Sequence, residues 1–267
     1  MMSTFTVGSA RFLISHRKLL WRVTLNELHA RYAGSLLGIG WIVLSPLIIL
    51  CIYWVVYLMI FRVRVTGMTS MTYVLYIFSG LVPYLMTAEA LATGVRSVTT
   101  NKSVLSNTVF PIDIAPAKTI LSSQGTMVIG LAVIIGGMVM MRQITFAIFL
   151  LQIIWMLHLM ALMGIIWILS LLNLVFKDLQ NLITAILMMM LVLSPIAYTP
   201  DMVPPSLKVV LLINPFASLV IVYQKVLVLG KFPNLFEGAI LVTLSLGLFF
   251  MGSWFFERTK KVLIDYV

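Results

Sequence analysis

The sequence predicts an all-α membrane protein with six transmembrane helices. Hydrophobic residues make up 61% of the 267 residues and charged residues only 10%, which is more apolar surface than a soluble domain of this length can bury. Lipid must therefore form part of the solvent of this chain. Six runs that are poor in charge are each long enough to cross a hydrocarbon layer of about 30 Å, at 36–61, 73–95, 117–141, 144–176, 179–199 and 236–256.

The distribution of basic residues predicts that both termini are cytoplasmic. Five basic residues lie between positions 11 and 31, and three follow the last apolar run, at Arg258, Lys260 and Lys261. Such residues concentrate on the cytoplasmic side of membrane proteins. Six crossings then leave twelve Lys and Arg residues inside and six outside, which agrees with this orientation.

A seventh apolar run, 209–224, is too short for a regular crossing. Its 16 residues would span about 24 Å as a helix, and Pro215 removes a helix hydrogen bond. We predict that 207–229 forms a re-entrant or interfacial helical hairpin on the outer side, broken at Asn214 and Pro215. The alternative of a seventh crossing is favoured by three basic residues that would otherwise lie outside: Lys208, Lys225 and Lys231.

Two cytoplasmic segments are predicted to be helical without crossing the membrane. Residues 11–31 have the pattern of an amphipathic helix, which would lie at the membrane surface with its basic side toward anionic headgroups. The pattern alone favours an orientation signal over a docking surface. Residues 99–110 carry a short apolar stripe that Pro111 ends. Such a helix needs a neighbour, either from its own membrane domain or from a separate chain.

The sequence lacks the motifs that would point to an enzyme. It contains no Gly-x-x-x-x-Gly-Lys-Ser/Thr phosphate loop, no His-Glu-x-x-His and no pair of cysteines, and its eight acidic residues are scattered. The net charge of +10 lies mainly in short segments between apolar runs, which favours topology control over nucleic-acid binding. We expect no cofactor in this chain, and we expect the energy for any pumping to come from another chain.

Polar and aromatic residues within the apolar runs are candidates for a channel or gate. Glu89 is the first, because a carboxylate among apolar residues suggests function, although a hydrogen-bonded Glu facing the bundle interior is the simpler interpretation. Arg96 lies two helical turns away, so a direct ion pair with it is not expected. His158 is interpreted as a packed, hydrogen-bonded residue. The other candidates are Tyr53, Tyr57, Met188, Asn214 and Pro215.

Motifs along nearly the whole chain resemble the permeases of polysaccharide-exporting ABC transporters, which export O-antigen, teichoic acid and some capsules. The first is RYAGSLLGIGWIVLSPL at 31–47, in which the shared positions are Arg31, Tyr32, Leu37, Gly38, Trp41 and Pro46. The others follow in the family's order: FSGLVPY (78–84), VFPIDIAP (109–116), VFKDLQN (175–181), SPIAYTPDMVPP (194–205) and INPF (213–216).

Two positions depart from the pattern of that family. Lys177 stands where Arg is usual, and Ile112-Asp113 replaces the basic residue that commonly follows Phe-Pro. The first change affects only a turn. The second concerns the loop that would contact a partner, so it bears on the details of that contact.

The resemblance implies that residues 1–267 form one permease domain in the bacterial cytoplasmic (inner) membrane. Such permeases work as homodimers with two copies of a separate ATP-binding subunit, which would bind ATP and Mg. They move a lipid-linked polysaccharide through a channel at the dimer interface. The resemblance leaves open which polysaccharide and lipid anchor are carried, and whether periplasmic partners take part.

The resemblance also implies roles for particular residues. The ATPase-docking and coupling surface would comprise Arg17, Arg22, Asn101, Lys102, Val104, Leu105, Phe110 and Pro111. A cytoplasmic gate, near which the sugar-lipid head enters, would comprise Arg31, Tyr32 and Trp41. The 207–229 hairpin would form a gate on the outer side.

Two other functions stay open at this point. One is an ABC export permease for a drug or a small lipid. The other is a membrane-embedded glycosyl- or acyltransferase that uses a polyprenyl lipid, which the scattered acidic residues disfavour.

Overall fold

All regular structure is helical in the computed structural model, which describes residues 8–63, 65, 67–101 and 111–264. The predicted all-α class is therefore confirmed for the described part of the chain. The helices are α1 (Gly8–Ser15), α2 (Arg17–Tyr32), α3 (Trp41–Trp54), α4 (Ser70–Gly94), α5 (Ser97–Thr100), α6 (Ile114–Met140), α7 (Leu151–Val175), α8 (Leu179–Leu193), α9 (Lys208–Ile213), α10 (Pro215–Gln224) and α11 (Leu235–Ile264).

Five helical stretches of the described residues are long and apolar enough to cross a membrane. They correspond to the first four and the last of the six predicted spans. Short 3₁₀ or π turns extend two of them, so that the five stretches are Gly38–Ile60, Ser70–Gly94, Ile114–Met140, Phe146–Val175 and Leu235–Lys260. This protein is therefore a multi-pass membrane protein by the length and composition of its helices.

The fifth predicted span, 179–199, is shorter as a helix than predicted. Helix α8 has 15 residues, which reach about 22 Å, and it ends at Leu193. The cause is Pro195, because the residue before a proline is forced out of helical geometry, and Ser194 has the extended ψ of 144°. The span predicted as one straight helix is instead a short helix followed by a turn.

The hairpin segment contains two helices that meet at a sharp bend. Pro205–Leu211 and Pro215–Leu229 lie at 94° to each other, and together they can count as a sixth crossing or as a re-entrant loop. The bend lies at the predicted break, where the Asn214 side chain accepts a hydrogen bond from the backbone N–H of Phe216 and caps α10. The count of six crossings remains a prediction.

The predicted amphipathic helix at 11–31 is wrong as a single helix. It forms α1 and α2, which are interrupted at His16, and α1 already begins at Gly8. The apolar side chains of α1 and α2 are only partly buried, since Leu13 is buried while Trp21 is 57% exposed.

Helix α4 lies at the centre of the bundle. In the most apolar part of α4, 83% of the residues are buried. The corresponding share is 11% for the stretch Gly38–Ile60, which contains α3. Helices α6, α7, α8 and α10 surround α4, whereas α3 packs mainly on α6 and leaves apolar side chains exposed. The outward face of α3 must therefore contact lipid or another protein.

The two ends of the bundle are formed by different elements. One end, here named the basic end, gathers α1, α2, α5, the beginning of α6 and the ends of α4, α7 and α11. It carries Arg31, Arg96, Lys118 and Lys260. The opposite end, named the hairpin end, carries α9, α10 and the turn that follows α8.

Helices α7 and α11 cross with their backbones in contact. A Cβ atom added to Gly252 would lie 2.2 Å from the carbonyl oxygen of Gly164, and one added to Gly164 would lie 2.1 Å from that of Leu248. Small residues permit this close approach. In lipid the hydrophobic effect does not drive helices together, so the van der Waals packing at such a crossing holds them in contact.

We predict that Gly252→Ala destabilises the protein by roughly 1–3 kcal/mol, because the added methyl group must push the two backbones apart. The measurement is the thermal unfolding midpoint of the detergent-solubilised protein. Gly247→Ala is the matched control on the same helix, since a Cβ at Gly247 meets nothing within 4 Å. Equal midpoints for both variants would show that the crossing is not close-packed.

Candidate functional site

An ion pair attaches the end of α2 to the centre of the bundle. The guanidinium Nη1 of Arg31 lies 2.6 Å from Oε1 of Glu89 on α4. The second carboxylate oxygen accepts a hydrogen bond of 2.8 Å from the Thr126 hydroxyl on α6. Both charged side chains are about a quarter exposed, at 26% and 28%. Glu89 thus has a cation and a hydrogen-bond donor, which offset the loss of its hydration.

A second ion pair joins α2 to the first turns of α6. The ammonium Nζ of Lys118 lies 2.7 Å from Oε2 of Glu27, and it donates a hydrogen bond of 2.9 Å to Oδ1 of Asn101. The Asn101 amide in turn donates to the backbone carbonyl of Ser97 at 2.6 Å. The Lys118 side chain is only 9% exposed, so these partners offset its loss of hydration. Asn101, a predicted docking residue, is therefore linked to α2 through Lys118.

A cavity of about 630 Å³ opens between α2 and the ends of the spans. Its wall includes both cations of the ion pairs and a third cation, the exposed Arg96. The Arg96 Nε donates to the carbonyl of Ala92 at 3.3 Å, and no described carboxylate lies within ion-pairing distance of its guanidinium. The cavity therefore presents a positive charge that is free to bind an anion.

The other predicted residues of the basic end have mixed positions. Arg17 and Arg22 are exposed on α2 and form no ion pair with a described residue, so they are available to a partner. Tyr32 and Trp41 are half-buried where α2 leads into α3. Pro111 is half-buried ahead of α6. Four predicted docking residues lie outside the described residues: Lys102, Val104, Leu105 and Phe110.

The predicted channel and gate residues do not form one cluster. Tyr53 and Tyr57 stack at 5.8 Å between ring centroids and are partly buried against the main core. Met188 is 68% exposed on α8. Glu89 lies at the basic end, and Asn214 and Pro215 lie in the hairpin. Glu89 and the hairpin residues therefore lie at opposite ends of the bundle. The roles of all these residues in a channel or gate remain predictions.

The hairpin is fixed to the turn after α8 by buried polar side chains. The Gln224 amide donates to the carbonyls of Pro195 and Ile196 at 2.9 and 3.2 Å. The Asn214 amide donates to the Ser194 hydroxyl at 3.0 Å, and the Tyr73 hydroxyl donates to the carbonyl of Ala197 at 2.6 Å. Of these three donor residues, only Asn214 is among the candidates predicted from the sequence. The polar Gln224 at the end of the apolar run 209–224 was the sequence feature that could have indicated such a contact.

His158 is buried and hydrogen bonded, in agreement with its interpretation from the sequence. Its Nε2 lies 2.7 Å from the Thr87 hydroxyl and its Nδ1 lies 3.3 Å from the Tyr223 hydroxyl. These contacts join α7 to α4 and α10 in the main core.

Comparison with known proteins gives a family match over most of the chain. Residues 18–228 match the family described as ABC-2 type transporter. The O-antigen export system permease protein RfbA of Myxococcus xanthus is 23% identical over 254 residues, which are 94% of this chain and 96% of that protein. Two proteins of the same name from Klebsiella pneumoniae are 27% and 26% identical, over 214 and 243 residues. These alignments cover 79% and 86% of this chain and 81% and 90% of those proteins.

Exchanging the charges of Arg31 and Glu89 tests whether their ion pair stabilises the protein. Arg31→Glu and Glu89→Arg should each lower the free energy of unfolding by roughly 1–3 kcal/mol, between the values for exposed and buried ion pairs. The double exchange should recover much of this loss. The measurements are the thermal unfolding midpoint and the rate of tryptic cleavage within α2.

Arg22→Glu is the matched control, because Arg22 is exposed on the same helix and forms no ion pair with a described residue. If the double exchange is as unstable as the sum of the single changes, the two side chains do not interact.

Proposed function

This chain belongs to the ABC-2 type transporter family, and we propose that it is the membrane subunit of an ATP-driven exporter for a lipid-linked polysaccharide. The observation that carries the proposal is the similarity to permeases named for O-antigen export, which in one case extends over 94% of this chain. The five long apolar helices support a role within the membrane. We place the protein in the bacterial cytoplasmic membrane, with the basic end in the cytoplasm.

A separate ATP-binding subunit would supply the energy. The sequence contains no phosphate loop, so ATP and Mg would bind to the partner rather than to this chain. We propose a homodimer of this chain with two ATP-binding subunits. The outward face of the stretch Gly38–Ile60, which contains α3 and leaves Ile48, Ile52 and Met59 exposed, offers an apolar surface for the second permease or for lipid.

The contacts at the basic end suggest how movement would pass from the partner to the gate. In this proposal the ATP-binding subunit docks on the segment around 99–110 and on Arg17 and Arg22. Asn101 contacts Lys118, and Lys118 forms an ion pair with Glu27 on α2. A shift at Asn101 therefore reaches α2, which carries Arg31 and Tyr32 of the proposed gate.

The cavity beside α2 is suited to the phosphate of a lipid-linked sugar. It lies at the end of the bundle where headgroups would lie, and Arg96 contributes a cation without a carboxylate partner among the described residues. An arginine can bind phosphate oxygens through two parallel hydrogen bonds. The lipid chain would stay in the membrane while the sugar passes into the channel of the dimer.

Co-purification with a candidate ATP-binding subunit tests the proposed function. We expect a stable complex that hydrolyses ATP in lipid vesicles and exports a lipid-linked polysaccharide in cells. A chain that purifies alone and turns over a sugar donor without any ATPase would support the transferase alternative. A complex that moves a drug but no polysaccharide would support the other alternative, an ABC export permease for a drug or a small lipid.

We predict that Arg96→Ala lowers polysaccharide export by about tenfold or more, because losing a charged hydrogen bond to phosphate costs roughly 1.5–3 kcal/mol. The measurement is polysaccharide at the cell surface, with the amount of assembled complex determined in the same cells. Lys231→Ala is the control, since Lys231 is an exposed cation at the hairpin end. Unchanged export by the Arg96 variant would exclude this arginine from substrate binding.

A further inference from the structure

We propose that Asp113 and Lys260 are positioning residues that fix the first turn of α6 to the end of α11, so that force from the ATP-binding subunit enters both helices together. This inference rests on the proposed function. It assigns a role to the C-terminal helix, for which the motifs and the predicted docking surface gave none.

The ion pair between these residues is short and largely buried. The Lys260 Nζ lies 2.7 Å from Oδ1 of Asp113, whose side chain is 8% exposed. A carboxylate with so little water depends on its cation, and removal of the cation leaves an uncompensated charge. Asp113 also directly precedes α6, where the helix dipole favours a negative charge. The pair therefore stabilises one arrangement of α6 and α11.

The N-terminal helix α1 takes part in the same contact. Lys260 donates a second hydrogen bond, of 3.3 Å, to the hydroxyl of Ser9, and the Ser9 backbone N–H donates to Oε1 of Glu257 at 2.7 Å. A Cβ atom on Gly8 would lie 2.8 Å from the same Glu257 oxygen, so α1 approaches α11 closely. We name this set, Ser9, Asp113, Glu257 and Lys260, the terminal joint.

An apolar cluster of its own underlies the terminal joint. Leu13, Ile112, Trp167 and Phe256 are buried in it, and this cluster is distinct from the main core around α4. It contains residues of α1, α6, α7 and α11, the helices that the joint connects or that lie next to it. Because close-packed interiors resist deformation, the joint and this cluster should move as one body.

Two sequence observations concern the residues of the joint. Ser9, Glu257 and Lys260 lie outside residues 18–228, which match the family. Ile112-Asp113 replaces the basic residue that commonly follows Phe-Pro in the permeases that the chain resembles. A basic residue at 113 would repel Lys260, so the acidic residue and the lysine form a complementary pair.

The position of the joint explains what it would do during transport. Asp113 comes three residues after the proposed coupling segment 99–110, so a force applied there reaches α6 through this turn. Without the joint, the turn could bend and the force would be lost before it reached the spans. With it, α6 and α11 are displaced together, and α11 passes the movement to α7 through the Gly164 and Gly252 crossing.

The test is a charge exchange in the complete complex with its ATP-binding subunit, reconstituted in lipid vesicles. Asp113→Lys and Lys260→Asp are made singly and together, and polysaccharide export per ATP hydrolysed is measured. We expect each single variant to assemble and hydrolyse ATP but to lower this ratio by about fivefold or more, as expected for loss of a largely buried ion pair. The double exchange should recover at least half of the ratio.

Two further variants separate positioning from a general loss of stability. Asp113→Glu keeps the charge and should keep the ratio near that of the wild type, with thermal unfolding midpoints measured for all variants. Lys177→Asp is a matched control, since it reverses the charge of an exposed lysine in the turn after α7. A single variant too unstable to assemble is replaced by Asp113→Asn or Lys260→Gln, for which the same loss of ratio is expected.

Single variants that export as much per ATP as the wild type would overturn the inference, and so would a double exchange that is no better than the singles. A wild-type chain that binds no ATP-binding subunit would instead overturn the proposed function, and the inference with it. The two failures are distinguishable, because only the second appears before any residue is changed.

Discussion

The ion pair between Arg31 and Glu89 determines where α2 lies, and much of the basic end depends on it. Charges that lose hydration at the end of an apolar bundle need a partner nearby. Glu27 with Lys118 repeats this arrangement one helical turn earlier on α2, and Asp113 with Lys260 repeats it between α6 and α11. Three ion pairs thus connect segments that the apolar core alone would leave free to slide.

These ion pairs connect the helices at the basic end, whereas the helices at the periphery of the bundle are more exposed. Helix α4 is buried on nearly all sides, whereas α3 and α8 present apolar side chains outward. In a homodimeric exporter, an exposed face would meet the second subunit while the basic end receives the ATP-binding subunit. The hairpin end is fixed separately, through Gln224 and Asn214.

The long helices could be predicted because lipid imposes about 20 apolar residues on any helix that crosses it, whatever its neighbours are. Proline likewise predicts the break in the hairpin, whereas Pro195 ends α8 earlier than the apolar run 179–199 alone indicates. The partner of Glu89 could not be predicted, because Arg31 is 58 residues away and their meeting depends on how α2 packs on α6. The partners of Lys118 could not be predicted either, since its sequence context shows neither Glu27 nor Asn101.

The most direct test of the central claim is the amide hydrogen exchange of α2 in the protein reconstituted in lipid nanodiscs. If the two ion pairs hold α2 against the bundle, its amides in the wild type should exchange as slowly as those at the adjoining ends of α4 and α6. In the double variant Glu27→Ala/Arg31→Ala they should exchange at least about tenfold faster, because the helix would open locally. Rapid exchange of α2 in the wild type, or equal rates in both proteins, would contradict the account.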